Sequence, residues 1–154
     1  PFIQKAIFES CKIKKNIVEK DEKEKNLRKI LNFGHTFAHA YEASLNYSKK
    51  LNHGEAVLLG MYTALKFSYK IKILKKSDYD LILDHIYNSK LPFNLKNYFS
   101  LNHLNKILIF ILKDKKNKFN KINLILLKKI GFTSINKSYN KSEIKSFLKN
   151  ELSN

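Results

Sequence analysis

Hydrophobic residues recur at helical spacing along most of this chain, with lysines and asparagines between them. Apolar side chains that fall three or four positions apart share one face of a helix and therefore predict one. Residues able to cap a helix precede several of these segments. The predicted helices cover about residues 2–20, 27–45, 54–72, 78–88, 95–99, 101–113 and 143–152, with N-caps at Asn26, Asn52, Ser77 and Ser142.

Two segments depart from this one-sided pattern. Residues 54–72 are apolar around most of the circumference of the predicted helix, which indicates a position at the centre of the fold. Residues 122–129 are rich in isoleucine and leucine and end at the pair 130–131, Ile-Gly, which predicts a short strand or small hairpin. The predicted fold is therefore mainly α, a helical bundle with a small β-hairpin, in one domain over 1–154.

The strong positive charge invites a nucleic-acid function. The formal net charge is +17, and a basic surface attracts polyanions. However, the lysines are spread along the chain and are not gathered into one arm or patch. The abundance of Lys, Asn, Ile, Tyr and Phe is what AT-rich codons would produce. We therefore predict no nucleic-acid partner, although a small basic pocket for an anionic substrate stays compatible with the composition.

Composition also bears on the cellular compartment. Cys11 is the only cysteine, so no disulfide can form within the chain, which fits a reducing cytoplasm. The apolar runs are too short to cross a membrane. A chain of 154 residues with 44% hydrophobic residues can bury an ordinary core. We expect a cytoplasmic protein without a membrane partner.

Scarce residues are concentrated in the segment 28–61. It holds the chain's only arginine, three of its four glycines and three of its five histidines. His35 and His39 are four residues apart and lie on one helix face. His53 begins the next predicted helix, and an antiparallel pair of helices can bring it beside His35. Imidazoles together with a carboxylate are ligands for a divalent metal. The candidate carboxylates are Glu24, Glu42 and Glu55.

The histidine pair has a plainer interpretation. Two histidines four residues apart are often only polar residues on one face of a helix. The clustering of glycines, histidines and a glutamate around this pair favours the metal site.

The same segment resembles the C-terminal domain of 3-dehydroquinate synthases. In that family a phrase of the form R-x-x-L-N-x-G-H-T-x-G-H-A-x-E precedes a second, L-x-H-G-E-A-V-x-x-G-M. They stand here at 28–42 and 51–61, with Ala38 in place of the second glycine of the first phrase. Alanine is a mild change within a helix. Shorter matching phrases extend the resemblance over nearly the whole chain, at 11–14, 21–24, 114–116 and 126–131.

The resemblance implies roles for individual side chains. His35 and His53 correspond to two ligands of a catalytic divalent metal, zinc or cobalt. His39 and Glu24 correspond to residues that move protons. The implied contacts to the phosphate, carboxylate and hydroxyls of the substrate are Lys14, Arg28, Asn32 and one of Lys115 and Lys116.

The resemblance also implies a reaction. The family consists of lyases that convert 3-deoxy-D-arabino-heptulosonate 7-phosphate, a phosphorylated sugar acid, to 3-dehydroquinate and phosphate. The step belongs to the shikimate pathway of chorismate and aromatic amino acid biosynthesis. NAD transiently oxidises a ring hydroxyl, phosphate leaves by elimination, and an aldol step closes the carbocycle. A metal that polarises oxygen, proton-transfer groups and cations for the substrate's acidic groups suit this chemistry.

One element of such an enzyme is missing from the sequence. No glycine-rich phosphate loop follows a strand, so no dinucleotide-binding unit is predicted. In the family that unit, and a glutamate that is the third metal ligand, belong to an N-terminal domain. We therefore expect this chain to be the C-terminal domain of a two-domain α/β plus α enzyme. It should be inactive alone, and the intact enzyme should be a homodimer.

Two other classes of function compete with this one. A related sugar-phosphate cyclase or a metal-dependent polyol dehydrogenase would use the same metal histidines, and a substrate panel would separate them. A non-enzymatic, basic helical module would instead bind DNA or metal, and its DNA binding would be strongly salt-sensitive.

Overall fold

The computed structural model describes residues 1–91, 94–113 and 121–153. The helices are α1 (Phe2–Lys20), α2 (His35–Ser44), α3 (His53–Lys70), α4 (Lys76–Asn88), α5 (Leu104–Lys113) and α6 (Lys141–Ser153). The strands are β1 (Lys121–Lys129) and β2 (Phe132–Asn140), and short 3-10 helices occur at Leu27–Asn32, Leu95–Asn97 and Leu101–His103. The predicted mainly helical fold with a small β-hairpin is confirmed. None of the described helices is both long enough and apolar enough to span a bilayer.

The chain divides into two compact units, Pro1–Asn32 and Phe33–Asn154, called unit 1 and unit 2 below. Unit 1 consists of α1 and the 3-10 helix that follows it. The Asp21 carboxylate closes the turn between them by accepting hydrogen bonds from three backbone N–H groups, those of Lys25 at 2.8 Å, Asn26 at 2.7 Å and Arg28 at 3.0 Å. These bonds, that of Arg28 foremost, favour the ionised carboxylate and lower the pKa of Asp21 below its ordinary value of 3.8.

The single helix predicted over 27–45 is wrong. The backbone forms a 3-10 helix at Leu27–Asn32, and Gly34 then adopts a left-handed conformation with φ of 81°. A left-handed residue cannot continue a right-handed α-helix, and glycine adopts this conformation without a Cβ clash. As a result His35 is the first residue of a separate helix, α2.

Helix α3 lies at the centre of unit 2, as its apolar circumference predicted. It packs against α2, α4 and β1, and half of its residues are buried. The predicted N-cap Asn52 is confirmed, and its backbone N–H donates to Glu55 Oε2 at 2.8 Å in a capping box. This cap fixes the beginning of α3 at His53. The predicted beginning was one residue later.

The predicted β-hairpin is confirmed and forms one wall of the core. Strands β1 and β2 pair antiparallel, with Gly131 in the connecting turn at φ of 79°. The buried side chains of β1 alternate with more exposed ones and pack toward α3 and α5. Helix α6 completes the core. Its buried apolar residues are Ile144, Phe147, Leu148 and Leu152.

Other predicted boundaries shift by a few residues. Helix α4 begins at Lys76 and not after a Ser77 cap, and α6 begins at Lys141 and not after a Ser142 cap. The helix predicted over 101–113 opens with a 3-10 turn before α5. The predicted helix over 95–99 is shorter, a 3-10 turn at Leu95–Asn97.

Ser68 joins the hairpin to α3 through one buried hydroxyl. Its side chain is 0% exposed, and its Oγ donates to the Ala64 carbonyl at 2.6 Å. The same oxygen accepts from the backbone N–H of Leu127 at 3.0 Å. A bulge interrupts the pairing of β1 with β2 on each side of Leu127, between Leu124 and Leu126 and between Leu127 and Lys129.

We expect Ser68→Ala to lower the free energy of unfolding by about 1–3 kcal/mol, because it leaves the buried Leu127 N–H without this acceptor. Ser153→Ala is a matched control. Ser153 makes the same kind of bond to a carbonyl four residues earlier, that of Lys149, but is exposed. Urea unfolding of both variants measures the difference. Equal losses of stability would show that the Ser68–Leu127 bond contributes nothing.

Candidate functional site

Three imidazole rings meet where α2 and α3 begin. His35 is the first residue of α2 and His53 the first residue of α3, while His39 follows one turn along α2. The ring centroids of His35 and His53 are 6.2 Å apart, those of His35 and His39 5.6 Å, and those of His39 and His53 6.5 Å. The helix pair thus brings His53 alongside His35, in the arrangement that the sequence predicted.

Hydrogen bonds at Nδ1 distinguish two of these rings. His35 Nδ1 lies 3.4 Å from the Phe33 carbonyl oxygen, a long contact, and His53 Nδ1 lies 3.0 Å from Glu42 Oε1. A carbonyl or an ionised carboxylate can only accept, so the neutral form of each ring carries its proton on Nδ1. In that form the Nε2 atom of each ring has a free lone pair. This is the state in which a histidine binds a metal through Nε2, with its other nitrogen held by an acceptor.

The electrostatics of His35 favour the same state. Burial lowers its pKa below the ordinary value of 6.5, and the positive charges that His39 and His53 can acquire lower it further. The Phe33 carbonyl and the more distant Glu42 carboxylate act in the opposite direction but do not cancel the effect. His35 is therefore neutral at physiological pH, as a metal ligand must be.

His39 differs from the other two in its surroundings. Its side chain is exposed on α2, and its ring is nearly parallel to that of His53, with an interplanar angle of 18°. An exposed imidazole can exchange protons with solvent or a bound molecule, which is compatible with the predicted role in proton transfer. Its role stays a prediction, as do those of His35 and His53 as ligands.

Two glycines set the separation of α2 and α3 next to this cluster. A Cβ at Gly60 would lie 2.3 Å from the Gly34 carbonyl oxygen and 2.9 Å from the Ala38 nitrogen. A Cβ at Gly34 would lie 2.4 Å from the Met61 nitrogen. The two helices are therefore in contact through their backbones, and no side chain larger than hydrogen fits at either glycine. Ala38, where the family has glycine, is accommodated and is fully buried.

The candidate carboxylates are not assembled into a complete metal site. Glu55 is bound to the cap of α3, and Glu42 to the Nδ1 side of His53. Glu24 belongs to unit 1, where it accepts from Asn32 Nδ2 at 2.7 Å. In the described part of the chain, no set of three or more His, Cys, Asp or Glu side chains is arranged to hold a metal ion. Among the described residues of unit 2, His35 and His53 are therefore a neighbouring pair of rings without a carboxylate arranged beside them as a third ligand.

Of the predicted substrate-binding residues of unit 1, Arg28 and Asn32 lie in the 3-10 helix after α1, whereas Lys14 lies within α1. A hydrogen bond joins Asn32 to Glu24, the predicted proton-transfer residue of this unit, and Arg28 Nη1 donates to the Glu22 carbonyl at 2.7 Å. Glu24 has a positive φ of 51°. Lys14 is exposed on α1. The remaining candidates, Lys115 and Lys116, lie outside the described residues.

Two features of the site were not predicted from the sequence. Glu42 was considered only as a metal ligand, although residues 35, 39 and 42 share one face of a helix and that spacing places a carboxylate beside the histidines. The contact between Gly34 and Gly60 was not expected either. Its only signal was the concentration of scarce glycines in this segment.

The family model for the 3-dehydroquinate synthase C-terminal region matches residues 1–117. The chain is 55% identical over 152 residues to the 3-dehydroquinate synthase of Pelagibacter ubique, a match that covers 99% of this chain and 41% of that protein. It is 37% identical over 152 residues to the 3-dehydroquinate synthase of Bradyrhizobium diazoefficiens, covering 96% of this chain and 40% of that protein. The chain therefore spans about two-fifths of the length of these curated relatives.

A solved structure has a similar fold. The crystal structure of 2-deoxy-scyllo-inosose synthase, in complex with carbaglucose-6-phosphate, NAD⁺ and Co²⁺, superposes with a TM-score of 0.63 at 22% sequence identity. The superposition covers 82% of this chain and 35% of that one. At this identity the likeness concerns the fold, whereas the family match concerns the sequence over most of the chain. The chain belongs to the 3-dehydroquinate synthase family.

Proposed function

We propose that this chain forms the C-terminal, metal- and substrate-binding part of a 3-dehydroquinate synthase. The intact enzyme would convert 3-deoxy-D-arabino-heptulosonate 7-phosphate to 3-dehydroquinate and phosphate, on the shikimate route to aromatic amino acids. The observation that carries the proposal is the pair His35 and His53, two neighbouring rings whose Nδ1 atoms both face acceptors. The proposed reaction is that of the 3-dehydroquinate synthase family, to which the chain belongs.

The donor set fits a divalent metal such as zinc or cobalt. His35 and His53 would bind it through Nε2, and a carboxylate outside this pair would be the further ligand. When bound, such an ion acts as a Lewis acid that polarises an oxygen of the substrate. The related 2-deoxy-scyllo-inosose synthase was crystallised with Co²⁺ and NAD⁺, which supports a metal of this class.

The other predicted residues would act directly on the substrate. The exposed imidazole of His39 would accept or deliver a proton at the reacting carbon or oxygen, and Glu24 would be the second proton-transfer group. Arg28 would bind an acidic group of the substrate with its planar guanidinium, which suits phosphate and carboxylate. Asn32 and Lys14 would contribute a neutral and a cationic donor. One of Lys115 and Lys116 would join them.

The residues of this chain do not fit NAD. Its four glycines are isolated from one another, and none belongs to a glycine-rich loop between a strand and a helix. We propose that NAD binds chiefly to an N-terminal domain that would also carry the third metal ligand. The 154-residue chain would then be inactive alone. The intact enzyme would be a cytoplasmic homodimer, a soluble lyase without a nucleic-acid or membrane partner.

A chimera tests this function. This chain would replace the matching segment of the Pelagibacter ubique enzyme, with which it is 55% identical. With NAD⁺ and Zn²⁺ or Co²⁺, the chimera should release phosphate and form 3-dehydroquinate from 3-deoxy-D-arabino-heptulosonate 7-phosphate. The isolated 154-residue chain under the same conditions should not.

Substrate choice separates the competing functions. Glucose 6-phosphate and a simple polyol serve as alternative substrates for the chimera, because a related cyclase or a polyol dehydrogenase would use one of them. Turnover of either in preference to the heptulosonate would contradict the proposal. So would turnover by the isolated chain, since the NAD site proposed for an N-terminal domain could then not be essential.

A further inference from the structure

A single carboxylate connects the two helices of the histidine cluster. Glu42 lies on α2, two turns after His35, and its Oε1 is 3.0 Å from Nδ1 of His53 at the beginning of α3. The Glu42 side chain is only 13% exposed, whereas the His53 side chain is 63% exposed. Packing therefore holds the carboxylate but not the imidazole. The hydrogen bond to Glu42 is the contact that the structure shows at Nδ1 of His53.

We infer that Glu42 is a positioning residue, which fixes the tautomer and direction of His53 so that its Nε2 lone pair is available to a divalent metal. An ionised carboxylate can only accept, so it selects the ring form with the proton on Nδ1. An imidazole free in water distributes its proton between both nitrogens and turns about its side-chain bonds. Holding one form in one orientation removes this freedom before the metal arrives, and a carboxylate partner also makes Nε2 a better donor.

The assignment of Glu42 to this role follows from its place in the structure. Glu55 is closer to His53 in sequence, but its carboxylate accepts from the Asn52 backbone and caps α3. The Phe33 carbonyl, on the Nδ1 side of His35, is a neutral acceptor and the contact is longer, at 3.4 Å. Among the described residues, Glu42 is therefore the charged group that accepts a hydrogen bond from a histidine of the cluster. That histidine is His53. The inference rests on the proposed metal site and adds to it a residue that does not touch the metal.

Two variants and a control test the inference. Glu42→Ala removes the acceptor, Glu42→Gln keeps an acceptor oxygen without the charge, and Glu143→Ala removes an exposed carboxylate outside the cluster that accepts from a backbone N–H at the start of α6. The first readout is the tautomer of His53 in the metal-free 154-residue chain, from ¹⁵N–¹H imidazole spectra above pH 8. The second is the affinity of the chimera for Co²⁺, measured by competition with a chelator.

The expected results differ between the variants. Wild type and Glu143→Ala should show His53 with the proton on Nδ1, whereas Glu42→Ala should shift it toward Nε2. Glu42→Ala should weaken Co²⁺ binding by about 10–100-fold, the usual effect of losing such a partner. Glu42→Gln should lose less, because it can still accept from Nδ1. Circular dichroism confirms that each variant is folded.

Two outcomes would overturn the inference, and they can be told apart. If the wild-type chimera binds Co²⁺ through His35 and His53 but Glu42→Ala changes neither the tautomer nor the affinity, Glu42 has no positioning role and the proposed function stands. If the wild-type chimera binds no Co²⁺ at these histidines, the proposed metal site itself is wrong and the inference falls with it.

Discussion

Replacing Gly60 by alanine is expected to lower the free energy of unfolding by about 3 kcal/mol, the upper part of the range for overpacked cores. The added Cβ would lie 2.3 Å from the Gly34 carbonyl oxygen, which is a backbone atom. No change of side-chain rotamer can relieve such a contact, so α2 and α3 must move apart. For a chain of this length the melting temperature should fall by ~10 °C.

Two other glycines provide graded controls for this effect. A Cβ at Gly54 or at Gly131 would meet nothing within 4 Å, but Gly131 has φ of 79°. Gly54→Ala should therefore be nearly neutral, and Gly131→Ala should cost about 1–2 kcal/mol from backbone strain alone. Thermal or urea unfolding should rank Gly60→Ala as most damaging. A loss for Gly60→Ala no larger than that for Gly131→Ala would mean that the helices are not held in backbone contact.

Alanine at His35 should weaken metal binding, whereas alanine at His39 should not. Both substitutions should lower turnover. In the chimera, His35→Ala removes a proposed ligand and should weaken Co²⁺ binding by more than the roughly 10–100-fold that loss of a ligand's hydrogen-bond partner causes. His39→Ala should leave Co²⁺ bound, but should lower kcat by about 10²–10⁴-fold if His39 transfers a proton. The visible absorption of bound Co²⁺ and the rate of phosphate release measure the two effects separately.

His85→Ala is the control for this pair of variants. His85 is exposed on α4 and outside the cluster, so its loss should affect neither metal nor turnover. Loss of Co²⁺ from both His35→Ala and His39→Ala would indicate that His39 is also a ligand. Retention of Co²⁺ by both would remove His35 from the site. Either result would contradict the roles proposed for these two histidines.

Local signals in the sequence predicted much of the fold. Asn52 and Glu55 stand at the spacing of a capping box, and both partners of that box are in place at the beginning of α3. The run of isoleucines and leucines before Gly131 predicted the hairpin, because such residues favour a pleated strand and glycine permits the turn. These features depend on residues close together in the chain.

The features that could not be predicted depend on contacts across the fold. Residues 27–45 have a helical pattern on both sides of Gly34, and one glycine within a helix costs only about 1 kcal/mol. What breaks the helix there is the left-handed backbone of Gly34 together with its close contact to the backbone at Met61, which no local pattern reveals. The hydrogen bond of Glu42 to His53 likewise joins two helices and requires their packing to be known.

The same distinction applies to the site. The spacing of His35 and His39 within a predicted helix, and the position of His53 at the end of a loop, marked these residues in the sequence. The sequence therefore identified all three histidines of the cluster. Their division into ligands and a proton-transfer group came from the family resemblance. The Nδ1 contacts of His35 and His53 are compatible with this division, which stays a prediction.

The position of the histidine cluster on two consecutive helices has a consequence for the order of folding. His53 and Glu42 are 11 residues apart in the chain, whereas the bond from Leu127 to Ser68 spans 59 residues and that between Lys66 and Glu151 spans 85. Contacts between near neighbours close short loops and form quickly, while distant ones cost more chain entropy. The α2–α3 pair can therefore assemble before the hairpin and α6 dock. A nascent chain would then have His35 and His53, the two proposed metal ligands, in place before its core is complete.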